Sequence, residues 1–167
     1  MLTFSGKIEN KYELVKNGEY EVILKLEWAK TLSGDACIQC VYQIRPDVEQ
    51  EFKGRRVYDY IYKDAVSGDF DQRKINALLS VIEDAQHEFE DYDELVQYLN
   101  GSLLKVEIGT KAGDPSKGTK DKNTIKWWSS QPTSFKEYTE IKIQNEGSFD
   151  SSKVENKTEI TDDDLPF

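Results

Sequence analysis

The chain has 167 residues and a mass of 19.3 kDa, with 37% hydrophobic and 32% charged residues, enough for one domain with its own core plus a tail. A formal charge of −10 and a pI of about 4.7 argue against a nucleic-acid binder if the charge is spread evenly. No apolar stretch approaches the roughly 20 residues of a membrane span. Met1 to Lys11 lacks the apolar run of a signal peptide, so two cysteines in such a chain point to a reducing, cytoplasmic compartment.

The charge is not spread evenly. Residues 64–99 hold 2 basic and 10 acidic side chains, and residues 144–167 hold 2 and 7. Residues 45–63 hold 5 basic and 4 acidic, and residues 100–143 hold 8 and 5. A molecule with separated charge steers a polyanion to one face, because the local potential decides the encounter. Otherwise these segments are solvated surface.

In chain order, Gly18 to Lys30 alternates as a strand, with Tyr20, Val22, Leu24, Leu26 and Trp28 on one face and Glu21, Lys25 and Glu27 on the other. Ser33-Gly34-Asp35 is a turn, and Ala36 to Arg45 a second strand with Ile38, Cys40, Tyr42 and Ile44 on one face. Pro46 ends it, having no ladder donor. Arg55 to Lys63 reads as a third strand of ambiguous parity. Asp59 is a poor core residue, but Val57 and Ile61 favour that face inward, with Tyr58, Tyr60 and Tyr62 outward. Asp71 to Gln86 reads as a helix with Asp71 as its N-cap, and Asp91 to Asn100 as a second, short helix stopped by Gly101. Ser102 to Thr110 and Asn123 to Ser130 read as two more strands, joined by a long Gly-rich loop containing Lys111, Lys117, Lys120 and Lys122. Tyr138 to Ile143 could add a short strand.

From Gln144 onward the composition turns to Ser, Asn, Asp, Glu and Lys with isolated apolar residues, the mark of a disordered acidic tail. The expected organisation is a body over 1–143 and a tail over 144–167. Five strands with helices between the third and fourth follow the order of an OB-fold barrel. Another small barrel or an α+β sandwich would use the same elements.

Catalytic signals are weak. His87 stands alone in an acidic stretch, and Cys37 and Cys40, on an extended strand, face opposite ways and cannot share a metal. No phosphate-binding glycine motif occurs, so neither a metal nor a cofactor is expected. Aromatics mixed with cations say more. Arg55, Arg56, Tyr58, Tyr60, Tyr62 and Lys63 form one group; Lys120, Lys122, Lys126, Trp127 and Trp128 form another. Single-stranded nucleic acid needs this pairing, because bases stack on rings while cations follow the phosphates. Adjacent tryptophans on a strand point to opposite faces, so Trp127 inward leaves Trp128 outward beside Lys126. Equally, the rings could fill a core.

The chain ends Asp162-Asp163-Asp164-Leu165-Pro166-Phe167, an apolar tip on an acidic string suited to a partner's pocket rimmed with cations. This tip resembles that of bacterial single-stranded DNA-binding proteins, with Leu165 where Ile is usual. The body is similar instead to single-stranded DNA-binding proteins of phages that infect Gram-positive hosts. The similarity lies in Gly18 to Val22, Glu27-Trp28 with Thr31 and Gly34, Ile44 to Val57, and Leu103 to Ile108, and covers residues 18–128 in patches. The resemblance implies an OB-fold, sequence-independent binding of single-stranded DNA in phage replication or recombination inside the host cytoplasm, and recruitment of replication or recombination proteins by the tip. It carries over no catalytic residue.

The expected DNA-binding set is therefore Trp28, Tyr58, Tyr60 and Trp128 for stacking, with Arg55, Arg56, Lys111, Lys117, Lys120, Lys122 and Lys126 for phosphates; Asp162 to Phe167 is the expected partner-binding set. The contrasting expectation is an acidic adaptor or DNA mimic that binds a basic protein and no DNA. Oligomeric state is open.

Overall fold

The computed structural model describes residues 1–4 and 13–140; the expected tail and its tip lie outside them. Five strands form one antiparallel sheet: β1 (Gly18–Lys30), β2 (Ala36–Ile44), β3 (Arg56–Ile61), β4 (Leu103–Lys111) and β5 (Lys122–Pro132), in the order β3-β2-β1-β4-β5. Two helices, α1 (Gln72–Leu79) and α2 (Tyr92–Leu99), lie between β3 and β4. No helix among the described residues is long and apolar enough to cross a membrane.

The period-two patterns account for the core. Val22, Leu24 and Leu26 of β1, Ile38, Cys40, Tyr42 and Ile44 of β2, and Leu104, Val106 and Ile108 of β4 are all buried. Ile75, Leu78 and Leu79 of α1 and Leu95, Val96 and Leu99 of α2 are buried at helical spacing. β4 pairs with β1 only as far as Ile23. Beyond it, the Leu24 amide donates to the Ser102 carbonyl (2.8 Å) and the Leu26 amide to the Asn100 side chain (3.0 Å), so the end of α2 completes the ladder.

The sheet curls until its edge strands approach each other, but no ladder joins β3 to β5, so the expected closed barrel is not present among the described residues. α1 stands at this gap. Lys74 reaches β3, bonding Asp59 (3.1 Å) and the Tyr60 carbonyl (2.7 Å), while the Arg73 guanidinium lies 5.6 Å from the Trp127 ring of β5.

Several expectations need correction. The first helix ends at Leu79 rather than near Gln86. The Ser80 hydroxyl donates to the Ala77 carbonyl (2.6 Å), and Val81 and Ile82 continue in tight i→i−3 turns, where β-branched side chains disfavour helix. Residues 138–140 form no strand. Glu21 and Arg45, on the strand faces turned away from the first apolar row, are also buried, because residues 133–139 fold across them.

That crossing is a polar clasp. Arg45 is 0% exposed and grips Asp47 through Nε (3.0 Å) and Nη2 (2.8 Å). It also donates to the carbonyls of Phe135 (2.7 Å) and Glu137 (2.8 Å), under the Tyr138 ring. The Glu21 carboxylate accepts from the Thr133 hydroxyl (2.5 Å) and the Ser134 amide (3.2 Å). Gln50 ties the backbones of Glu21 and Arg45 together. Thus the Ile44-to-Val57 stretch that carries the sequence resemblance serves, at Arg45, Asp47 and Gln50, to build this clasp.

Removing one partner of a buried ion pair leaves the other uncompensated, so Arg45→Ala should cost about 3–5 kcal/mol, read as a lower urea midpoint. The bond from Arg45 holds the Asp47 carboxyl below its usual pKa. Its contribution to stability is therefore complete above the ordinary carboxylate range and fades as pH falls through that range toward the lowered pKa. Asp47→Asn should flatten that part of the acid-denaturation curve.

Candidate nucleic-acid interface

The basic loop between β4 and β5 is built, not slack. The Asp114 side chain caps a 3-10 turn at Pro115–Lys117, its amide donates to the Thr119 hydroxyl (2.6 Å), and the Gly113 amide donates to Asp121 (2.8 Å). A Cβ at Gly113 would collide with the backbone of Thr119 and Lys120, so only glycine lets the loop close this tightly. Lys117 and Lys120 are thereby held in solvent.

At the root of the loop Lys111 and Lys122 are paired directly across the strands. Like charges facing each other are destabilising. Partial burial, and next the Lys111 charge, hold the Lys122 ammonium below its usual pKa.

The segment before β1 brings Arg55 to the same end of the sheet. Arg55 donates to the Glu13 carbonyl (2.6 Å), Asn123 exchanges two bonds with the Val15 backbone (3.0 and 2.8 Å), and the Thr110 hydroxyl donates to Asn17 (2.8 Å). Arg55, Arg56, Lys111 and Lys122 therefore share one region of the molecule. Lys126 is different: it is engaged by Glu107 at 2.8 Å, so it has less charge to offer a phosphate.

The rings are arranged by a bulge. Lys126 opposes Glu107 and Gln131 opposes Lys105, so four residues of β5, 127–130, face Val106 alone. Ser129 and Ser130 hold the excursion, each hydroxyl donating three residues back, to the carbonyls of Lys126 (2.6 Å) and Trp127 (2.7 Å). The Glu107 amide, without its ladder partner, donates to Ser129 Oγ (2.8 Å). Bulges re-aim side chains. Here Trp127 packs on the core and Trp128 is 66% exposed, as the alternation predicts.

Of the other expected contacts, Trp28 is 43% exposed at the far end of β1, edge-on to Phe70 at 5.7 Å. Tyr58 is partly buried. Tyr60 is only 3% exposed and stacks on Tyr62 at 5.9 Å, so the outward parity inferred for the tyrosines does not make its ring accessible. Tyr62 is the more open of the pair, and burial raises its phenol pKa to about 12.

Register sets Trp28 opposite Ile38, and Ile38 opposite Ile61, so Trp28 and Tyr62 belong to the sheet end remote from the basic loop. Arg73, absent from the sequence-derived set, links this end to Trp127. Nothing in its local pattern marks it; only the seating of α1 beside β5 does. Among the described residues no cluster of three or more His, Cys, Asp or Glu is arranged to hold a metal, and both cysteines are buried, with the Cys40 thiol pushed far up by desolvation.

Replacing Lys111 with alanine should raise the Lys122 pKa part of the way back, the burial contribution remaining. An NMR titration of the Lys122 side chain reads this directly; an unchanged value would mean that the two ammonium groups do not repel each other across the strands.

A search of curated proteins finds no match. A family model does match, over residues 3–153, which takes in the whole described sheet, both helices and the basic loop. The chain belongs to that family, DUF669, described as proteins of unknown function.

Proposed function

We propose that this protein binds single-stranded DNA without sequence preference, using a curled OB-like sheet, and is not an enzyme. The observation that carries the reading is Trp128, a large ring held out in solvent by a hydrogen-bonded bulge on the same strand whose root holds Lys122. An exposed indole on the strand whose root faces a pair of ammonium groups has the two components an unpaired strand requires, a stacking surface and phosphate charge. The strand order and the placement of the helices support an OB-like reading, in which the loop between the fourth and fifth strands contributes to binding. The resemblance of residues 18–128 and of the C-terminal tip to single-stranded DNA-binding proteins supports a role in phage replication or recombination in the host cytoplasm. In that role Asp162 to Phe167 recruits partner proteins.

The test is a titration of the full chain with oligothymidine at several salt concentrations, followed by tryptophan fluorescence. Quenching is expected, with affinity falling as salt rises because bound phosphates release counterions. Trp128→Ala should lose about 1–3 kcal/mol of binding at every salt concentration. Joint replacement of Lys117 and Lys120 by alanine should instead flatten the log–log salt slope, by about 0.7 for each phosphate no longer neutralised. Deleting residues 162–167 should leave DNA affinity intact or stronger while abolishing capture of partners. No quenching at low salt, together with tight association with a basic protein, would favour the acidic-adaptor reading.

A further inference from the structure

The connection between β3 and α1 is a small hairpin. Lys63 and Phe70 are bridged, the Asp64 amide donates to the Asp69 carbonyl (2.7 Å), and the Asp71 amide donates to the Tyr62 carbonyl (3.0 Å). Between this hairpin and the first turn of α1 lies a cleft of about 550 Å³ whose walls include Tyr62, Lys63, Asp69, Phe70, Asp71 and Arg73. Its walls reach toward Trp28 on one side and Trp127 on the other. Its Phe70 wall packs on Trp28 at 5.7 Å, and its Arg73 wall lies 5.6 Å from the Trp127 ring, which is edge-on to Trp128 at 5.5 Å. A strand that stacks on Trp28 therefore passes this cleft.

The carboxylates decide what can enter. Asp64 accepts from the amides of Val66 (2.7 Å) and Ser67 (3.2 Å) to shape the hairpin tip. Asp71 is held by Arg73 through Nε (3.2 Å) and Nη2 (3.1 Å) and caps α1. Asp69 has no side-chain hydrogen bond or ion pair among the described residues. Arg73 takes up the charge of Asp71 and Lys63 lines the same cleft, so Asp69 is the carboxylate left without a partner among the described residues, and Tyr62, 38% exposed, is the ring open to a flat group. An ionised carboxylate only accepts hydrogen bonds. Cytosine offers an exocyclic amine; thymine offers carbonyl oxygens on both sides of its single ring N–H.

We propose that this cleft is a base subsite, taking one unstacked nucleobase of the bound single strand, and that Asp69 favours bases with an exocyclic amine. The inference rests on the nucleic-acid reading above and adds a composition bias to it.

Equal-length oligodeoxycytidine and oligothymidine, titrated against the full chain and its Asp69→Asn and Tyr62→Ala variants, provide the test. The natural chain should bind the cytidine strand about tenfold more tightly, the low end for one hydrogen bond to a charged group. Asp69→Asn, which adds amide donors for the thymine carbonyls, should abolish or invert that ratio while leaving the fold intact. Tyr62→Ala should weaken both strands and level them. Equal binding of the two strands by the natural chain, or a ratio untouched by Asp69→Asn, overturns the subsite and leaves the broader reading standing; no binding of either strand overturns both.

Discussion

One buried guanidinium sets the arrangement of everything else. Arg45 is enclosed completely, and its donors are distributed among Asp47, the Thr133 hydroxyl and the carbonyls of Phe135 and Glu137. A charge taken out of water is tolerable only when its donors are satisfied. Here satisfaction requires the chain after β5 to return across β1 and β2. That return fixes the end of β5 and, with the bulge, where its tryptophans face. It also covers Glu21, turning a nominally exposed strand face into a second buried one.

The electrostatic design separates roles within an anionic molecule. Acidic side chains concentrate on residues 64–99, chiefly in the connections around α1 and α2, while the helices themselves bury an apolar stripe. Cations gather at the opposite sheet end, on a loop tightened by Gly113 and Asp114 and beside an arginine tied to Glu13. Screening over about 8–10 Å at ordinary ionic strength lets such regions act independently. Net charge is therefore a poor guide to what this surface attracts.

Ring placement follows a different logic. Trp128 takes the outward parity left by Trp127 facing inward, within a four-for-one excursion of β5. Trp28 keeps the inward parity of its strand yet is 43% exposed; it lies past the end of the β4 pairing, which stops at Ile23, and its ring rests on Phe70. Tyr60 shows the opposite outcome: its parity is outward, but surrounding side chains enclose it. Parity assigns a face, whereas accessibility depends on what later covers that face.

Local chemistry written in the chain determined the five strands, their antiparallel succession, the Asp71 cap of α1 and the split between Trp127 and Trp128. These depend on side-chain period and short-range hydrogen bonding, which neighbouring residues decide among themselves. Tertiary structure alone decided that the sheet stays open with α1 at its gap, that Arg45 and Glu21 are interior, and that Arg73 joins the two tryptophan groups. Each of those outcomes pairs residues far apart in the chain, Arg45 with Phe135 and Arg73 with Trp127 among them. Such pairings are selected by the packing of whole elements, and no window of local sequence contains both partners.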